Sequence, residues 1–271
     1  MARYKTRTEQ RAASKKRRAM VTVVAIALLA TAGGAWFIKE RNARLALGND
    51  LCPPQPVSVT AVLVDVTDPM TLPQRQDLRN KLEELKSSVP RYGKIAIFKV
   101  DTSKDQLLSP VLQLCNPGNA SSVTDVNGDP AAMQARWDQQ FQKPLDKAFE
   151  GLMQASGSET SPILQSMQSV NLTELRNPVM TDKPRKLIVI SDLLQNTSGL
   201  SFYHRLPDAS EVEKTSEFST ARTDLHGIDV ELWMLQRPDF ASTQPRALAD
   251  LWDALVTAEG GQVTTVYRVS G

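Results

Sequence analysis

Val57-Ser58-Val59-Thr60-Ala61-Val62-Leu63-Val64-Asp65-Val66-Thr67-Asp68-Pro69 is the stretch on which the reading of this chain turns. Its first part is rich in β-branched residues, and Ala61–Val64 is apolar at every position rather than at every second one. Residues 57–66 therefore predict a strand covered on both faces, the habit of parallel sheets. The apolar run breaks at Asp65, and oxygen-bearing side chains follow it. Open parallel sheets bind their ligands at the carboxyl ends of the strands, which makes Asp65, Thr67 and Asp68 site candidates.

Outward from there, Thr71 followed by Pro73 and Gln74 is helix-start chemistry, and a helix to about Ser88 places Leu78, Leu82 and Leu85 on one face. Lys94–Val100 reads as the next strand, ending at Asp101. Residues 102–130, rich in Ser, Asn, Gly and Pro, read as irregular. From 130 to 153, Trp137, Phe141, Leu145, Ala148 and Leu152 recur at helical spacing, with a kink expected at Pro144. A further helix opens after Glu159-Thr160, with Ser161 as N-cap and Pro162 at its first position. Leu187–Ile190 is the most apolar strand and ends at Ser191-Asp192. Val230–Leu235 and Val263–Val269 complete the strands, with a helix over Arg246–Ala258 between them. The order β-α-β-α-α-β-α-β-α-β predicts an α/β, Rossmann-like fold: a mainly parallel central sheet with helices on both faces.

Three oxygen-bearing segments should meet at the carboxyl edge of that sheet. They are Asp65, Thr67 and Asp68 after the first strand, the hydroxyls of Thr160 and Ser161 at a helix entrance, and Asp192 after the central strand. Oxygen ligands without nitrogen or sulfur suit a hard divalent cation such as Mg²⁺. The runs Val62–Asp68, Glu159–Leu164 and Leu187–Asp192 together resemble a von Willebrand factor type A (VWA) domain over roughly residues 57–270. The resemblance implies a metal-ion-dependent adhesion site in which Asp65 and Thr67 take the first two positions, Ser161 or Thr160 the loop hydroxyl, and Asp192 the last acid. It departs from the family at Pro69, where a second hydroxyl belongs.

Other signals carry less. Asp125-Val126-Asn127-Gly128-Asp129 has turn chemistry and lacks the closing Glu of a calcium loop. His204 and His226 are the two histidines, with no Gly-x-Ser-x-Gly elbow beside them, and His226-Gly227 reads as a helix end. Ser198–Gly227 is the candidate recognition element, weighed against Phe202 and Tyr203 simply anchoring a loop; Asp208–Asp224 within it has the charge mix of a solvated helix.

The N-terminus sets the expected location. Residues 1–18 hold Arg3, Lys5, Arg7, Arg11, Lys15, Lys16, Arg17 and Arg18 against one acid, Glu9, as a basic cytoplasmic tail. Residues 19–38 carry no charge, and twenty helical residues span roughly 30 Å, the thickness of a bilayer core. They read as a transmembrane signal-anchor, not a cleaved signal, because the apolar run passes beyond Ala30-Thr31-Ala32. Residues 39–56 read as a stalk, and 57–271 as the α/β domain in the periplasm or an equivalent extracytoplasmic space. There, Cys52 and Cys115 are most simply one disulfide, the alternative being two separate buried thiols. The net charge of +2 across 271 residues, with its cations gathered at the N-terminus, excludes a nucleic-acid surface on the domain.

Two function classes follow. The first is a non-enzymatic module binding an unnamed protein partner, with or without a divalent metal. The second is a metal-dependent hydrolase of the haloacid dehalogenase type, which also places an Asp after its first strand but wants a second acid where Thr67 stands.

Overall fold

The computed structural model describes residues 20–36, 47–101, 107–123, 128–154, 158–237 and 244–269. The chain divides into two compact units, Met1–Leu47 and Gly48–Gly271. In the first, residues 20–36 are helical and exposed throughout. No helix among the described residues is long and apolar enough to cross a membrane. The span expected over 19–38 runs past both ends of this helix, and the basic tail 1–18 lies outside the described residues.

The second unit is built on a six-stranded sheet in the order β3-β2-β1-β4-β5-β6. Its strands are β1 (Val59–Val64), β2 (Lys94–Lys99), β3 (Leu112–Cys115), β4 (Arg185–Ser191), β5 (Ile228–Leu235) and β6 (Gln262–Val269). All neighbours pair in parallel except β2 and β3. Every residue of β1 is buried, as its unbroken apolar run requires. Alternation along the strands feeds two cores. Ala61, Leu63, Leu187, Val189 and Leu232 pack on one face with Met167, Val170, Trp252 and Leu255. Val62, Val64, Ile188, Ile190 and Trp233 pack on the other with Leu78, Leu82, Phe141, Leu145 and Phe149.

The helices are α1 (Leu72–Ser88), α2 (Pro130–Trp137), α3 (Lys143–Gln154), α4 (Ile163–Val170), α5 (Ala209–Glu213), α6 (Ser216–Ala221) and α7 (Arg246–Ala258). Thr71 caps α1 through a capping box with Gln74. A kink was expected at Pro144; just before it a π-helical turn, Asp138–Gln142, joins α2 to α3. Lys143 N–H reaches back five residues to Asp138 O, and Pro144 after it has no N–H to give an i−4 carbonyl.

Four details differ from the sequence reading. Leu112-Gln113-Leu114-Cys115, inside the stretch read as irregular, is an antiparallel edge strand against β2. At four residues it is too short to show a period. The Cys52–Cys115 disulfide forms, and Cys115 N–H donates to Asp50 O at 2.9 Å. Residues 48–56, read as part of a stalk, therefore belong to the compact unit. Asp208–Asp224 is two short helices, broken where the Thr215 hydroxyl caps α6. His226-Gly227 is a turn leading into β5, with Gly227 at φ +70. Of the Asp125–Asp129 run, Asp129 caps α2 and 125–127 lie outside the described residues.

Candidate functional site

Parallel pairing aligns Val64 with Ile190, so β1 and β4 end side by side and Asp65 N–H donates to Ile190 O at 2.8 Å. The alternation that buries Leu63 and Val189 on one face puts Asp65 and Ser191 on that same face, one step beyond each. Asp65 is 3% exposed. Its Oδ1 accepts from Thr67 N–H at 3.0 Å and from Thr67 Oγ1 at 2.7 Å. Its Oδ2 accepts from Ser161 Oγ at 2.8 Å and from Ser191 Oγ at 2.8 Å. Four donors from three segments thus converge on one carboxylate, which is how a buried charge is made tolerable.

Ser161 is the loop hydroxyl of this cluster, and Thr160 is exposed. Ser161 was expected to cap α4. Its backbone pairs instead with Asn196, N–H to Asn196 O at 2.8 Å and back at 2.9 Å, which turns the hydroxyl toward Asp65. Pro162 then stands at the α4 N-cap without a side-chain hydrogen bond.

Asp192 is 2% exposed and accepts from Leu194 N–H at 2.9 Å. Burial raises its carboxyl to about 7, the Asp65 charge adds to the rise, and the Leu194 N–H and Arg237 oppose it. Between Asp192 and Leu194 the chain bends through Leu193 at φ +64, a conformation unusual for a branched side chain.

Arg237 follows β5 and is the cation that lies against Asp192. Its Nε donates to Asp192 Oδ2 at 3.4 Å, Nη1 to Pro69 O at 2.7 Å, and Nη2 to Asp68 O at 3.4 Å. Nη2 lies 3.9 Å from the Asp68 carboxylate. Gln244 fixes the backbone behind it: Arg237 N–H donates to Gln244 Oε1, and Gln244 Nε2 donates to Asp192 O and Leu235 O. The Tyr203 hydroxyl reaches Asp68 Oδ2 at 3.5 Å. Burial, then the charges of Asp192 and Asp68, push that phenol upward. Phe202 anchors the loop, fully buried with its ring 6.1 Å from Trp252, while His204 is exposed.

The structure thus joins Asp65, Thr67 and Ser161 by direct hydrogen bonds, and Asp192, the residue that follows β4, feels the Asp65 charge. Sequence reasoning missed Ser191 and Arg237. The first was legible as the residue at the end of β4 on the Asp65 face. The second carried no local signal beyond being a cation after an apolar strand, which many residues share.

These residues do not fit a divalent ion as they stand. Both Asp65 oxygens already accept two hydrogen bonds. Pro69 offers no hydroxyl, and its carbonyl is taken by Arg237. A guanidinium, not an open face, borders Asp192. Among the described residues, no group of three or more His, Cys, Asp or Glu side chains is placed to hold a metal.

No family's sequence model matches the chain, and no curated protein matches it. Among solved structures it is similar to the SpRpn10 VWA domain, at 8% identity and a TM-score of 0.42, covering 79% of this chain and 89% of that one. It is also similar to an aerotolerance-related membrane protein from Bacteroides fragilis, at 12% identity and a TM-score of 0.35, covering 79% and 92%. Neither likeness bears on chemistry or on a partner. What fold and site define directly is an α/β protein whose mostly parallel sheet carries a buried carboxylate cluster at its carboxyl edge.

Proposed function

We propose that this chain is a non-enzymatic, VWA-like module that binds another protein through the rim at the carboxyl edge of its sheet, tethered to a membrane by residues 19–38 with the domain on the extracytoplasmic side. The observation carrying the reading is the convergence of Thr67, Ser161 and Ser191 on Asp65. It ties the ends of β1 and β4 to the Ser161 loop, and Asp68, half-buried Tyr203 and exposed His204 lie at the rim beside it. Loops positioned by a fixed scaffold are where binding function resides.

The hydrolase alternative asks Asp65 to attack a substrate. A nucleophilic carboxylate needs a free oxygen, and this one is buried with all its acceptor positions engaged. Thr67, at the position of the required acid, donates to Asp65 and is not arranged as a general acid for a leaving group.

The test is site-specific photo-crosslinking of the full chain in its native membrane. A crosslinker at exposed His204 should give a discrete protein adduct, and one at exposed Lys183, before β4 at the sheet's other edge, should not. Equal adducts at both positions, or none at His204, would remove the rim-binding reading.

A further inference from the structure

We propose that the cation of this site is built into the chain: the Arg237 guanidinium takes the place a divalent metal holds in an adhesion site of this kind, and the carboxylate edge is complete without metal. The Arg237 side chain is 12% exposed and lies between the ends of β1, β4 and β5. Each of its three nitrogens has an acceptor there: Asp192 Oδ2, the Pro69 carbonyl and the Asp68 carbonyl.

Its position follows from register. Ser191 pairs with Met234, so the residues after Leu235 emerge beside Asp192. Gln244 is 8% exposed and accepts the Arg237 N–H at 2.6 Å while donating to Asp192 O, which holds the arginine backbone against the acid it serves. The guanidinium is therefore preorganised, in the way Arg suits buried pairs with several acceptors.

Two consequences distinguish a built-in cation from a metal. A divalent ion at Asp192 would stand against a fixed guanidinium in a poorly solvated place, where like charges repel strongly. The Asp68–Pro69 loop, whose residue 69 offers no hydroxyl, is held by Arg237 through its carbonyls instead. This charge balance is independent of any protein partner, and loss of the crosslink above would leave it standing.

The full-length chain in detergent, at mildly alkaline pH, is melted in EDTA and in a millimolar excess of Mg²⁺, Mn²⁺ or Ca²⁺. The midpoint should move by less than about 1 °C with any ion. A metal present at a hundredfold its dissociation constant would raise it by roughly 5–10 °C, and a rise of that size overturns the proposal. Arg237→Met should lower the midpoint by at least about 5 °C, because it strands a buried charge. Adding Asp192→Asn to that variant should recover about half of the loss or more, because the stranded charge is then gone. Where Arg237→Met alone yields no folded protein, recovery of folded protein by the second change reads the same coupling. A double variant no more stable than Arg237→Met overturns the proposal as well.

Discussion

Ser191 Oγ donates to Asp65 Oδ2 at 2.8 Å across the ends of two adjacent parallel strands, and the same Oγ accepts the Leu193 N–H at 2.9 Å. One hydroxyl therefore joins the carboxylate of β1 to the turn that carries Asp192. Asp65→Ala would leave three buried hydroxyls and one N–H without their acceptor. The loss should be about 3 kcal/mol, since each unsatisfied buried group costs about 1–3 kcal/mol and some can turn to other acceptors. Ser191→Ala should cost about 1–2 kcal/mol. Urea denaturation of both variants reads these values, and an Asp65→Ala as stable as the parent would show the cluster to be structurally idle.

The two hydroxyls at residues 160 and 161 should behave differently although they are neighbours. Ser161→Ala should lose about 1 kcal/mol through its bond to Asp65, and Thr160→Ala should stay within about 0.5 kcal/mol because residue 160 is exposed. The reverse order in the same denaturation assay would mean that the loop is turned the other way.

Much of this edge was legible because strands announce their ends. Asp65 and Asp192 each break an apolar run, and two parallel strands of a doubly covered sheet bring such breaks together. The hydroxyl choice at 160 and 161 was not legible. It depends on the backbone pairing of Ser161 with Asn196, a contact 35 positions away in sequence (196 minus 161) that no local pattern encodes. Ser161 looked like an N-cap because Ser before Pro usually is one, and the tertiary demand of Asp65 overrode that preference. Arg237 was hidden for a similar reason: cations after strands are common, and only the β4–β5 register assigns this one to Asp192. The strand β3 is short, at a sheet edge, and placed by its antiparallel pairing with β2 and by the disulfide at Cys115, neither of which a local pattern encodes.

Cys52 and Cys115 should be bonded in protein isolated without reductant, and neither should take up an alkylating reagent after denaturation. Closing a loop of 63 residues restricts the unfolded chain by about 4 kcal/mol in the loop-entropy model. Reduction should lower stability by up to that amount and loosen the Asp50–Cys115 contact first. Two alkylated cysteines in unreduced protein would contradict both the bond and the oxidising location.

Glu259, at the end of α7, should make stability fall with rising pH. Burial raises its carboxyl from 4.5 to about 7, against the opposing Thr223 N–H and the Arg222 charge. The folded state therefore binds this proton more tightly than the unfolded state does. That contribution is complete below about pH 4.5 and is lost as pH rises through about 7. Glu259→Gln keeps an acceptor for Thr223 and removes the titration. The variant should gain on the parent by about 1–2 kcal/mol between acid and mildly alkaline pH. Parallel stability curves for the two proteins across that range would disprove the shift.

A reporter fused after Gly271 should be active only outside the cytoplasm, by the bias of eight cations before residue 19. Replacing Lys15, Lys16, Arg17 and Arg18 with neutral residues should weaken that bias and give a mixture of orientations. A reporter active in the cytoplasm of the parent chain would reverse the topology and withdraw the extracytoplasmic part of the proposed function.

Leu193 poses two opposed effects whose sizes decide the outcome. At φ +64 its side chain crowds the backbone, and a left-handed residue of this type costs roughly 1–2 kcal/mol relative to glycine. Glycine would release that strain. Yet the Leu193 side chain is fully buried in the core that includes Leu194 and Trp252. Removing a buried leucine side chain costs about 2–5 kcal/mol even when alanine replaces it, and glycine leaves a larger gap. Burial should win, so Leu193→Gly should lose about 2 kcal/mol or more by urea denaturation. The turn also holds contacts that glycine preserves, since its N–H meets Ser191 Oγ and its carbonyl accepts the Trp252 indole N–H at 2.9 Å. The Gly variant should therefore keep the Asp192 geometry and the Arg237–Asp192 coupling while losing core packing. A Leu193→Gly protein more stable than the parent would mean that strain outweighs packing at this turn, and that the left-handed leucine is retained for something other than stability.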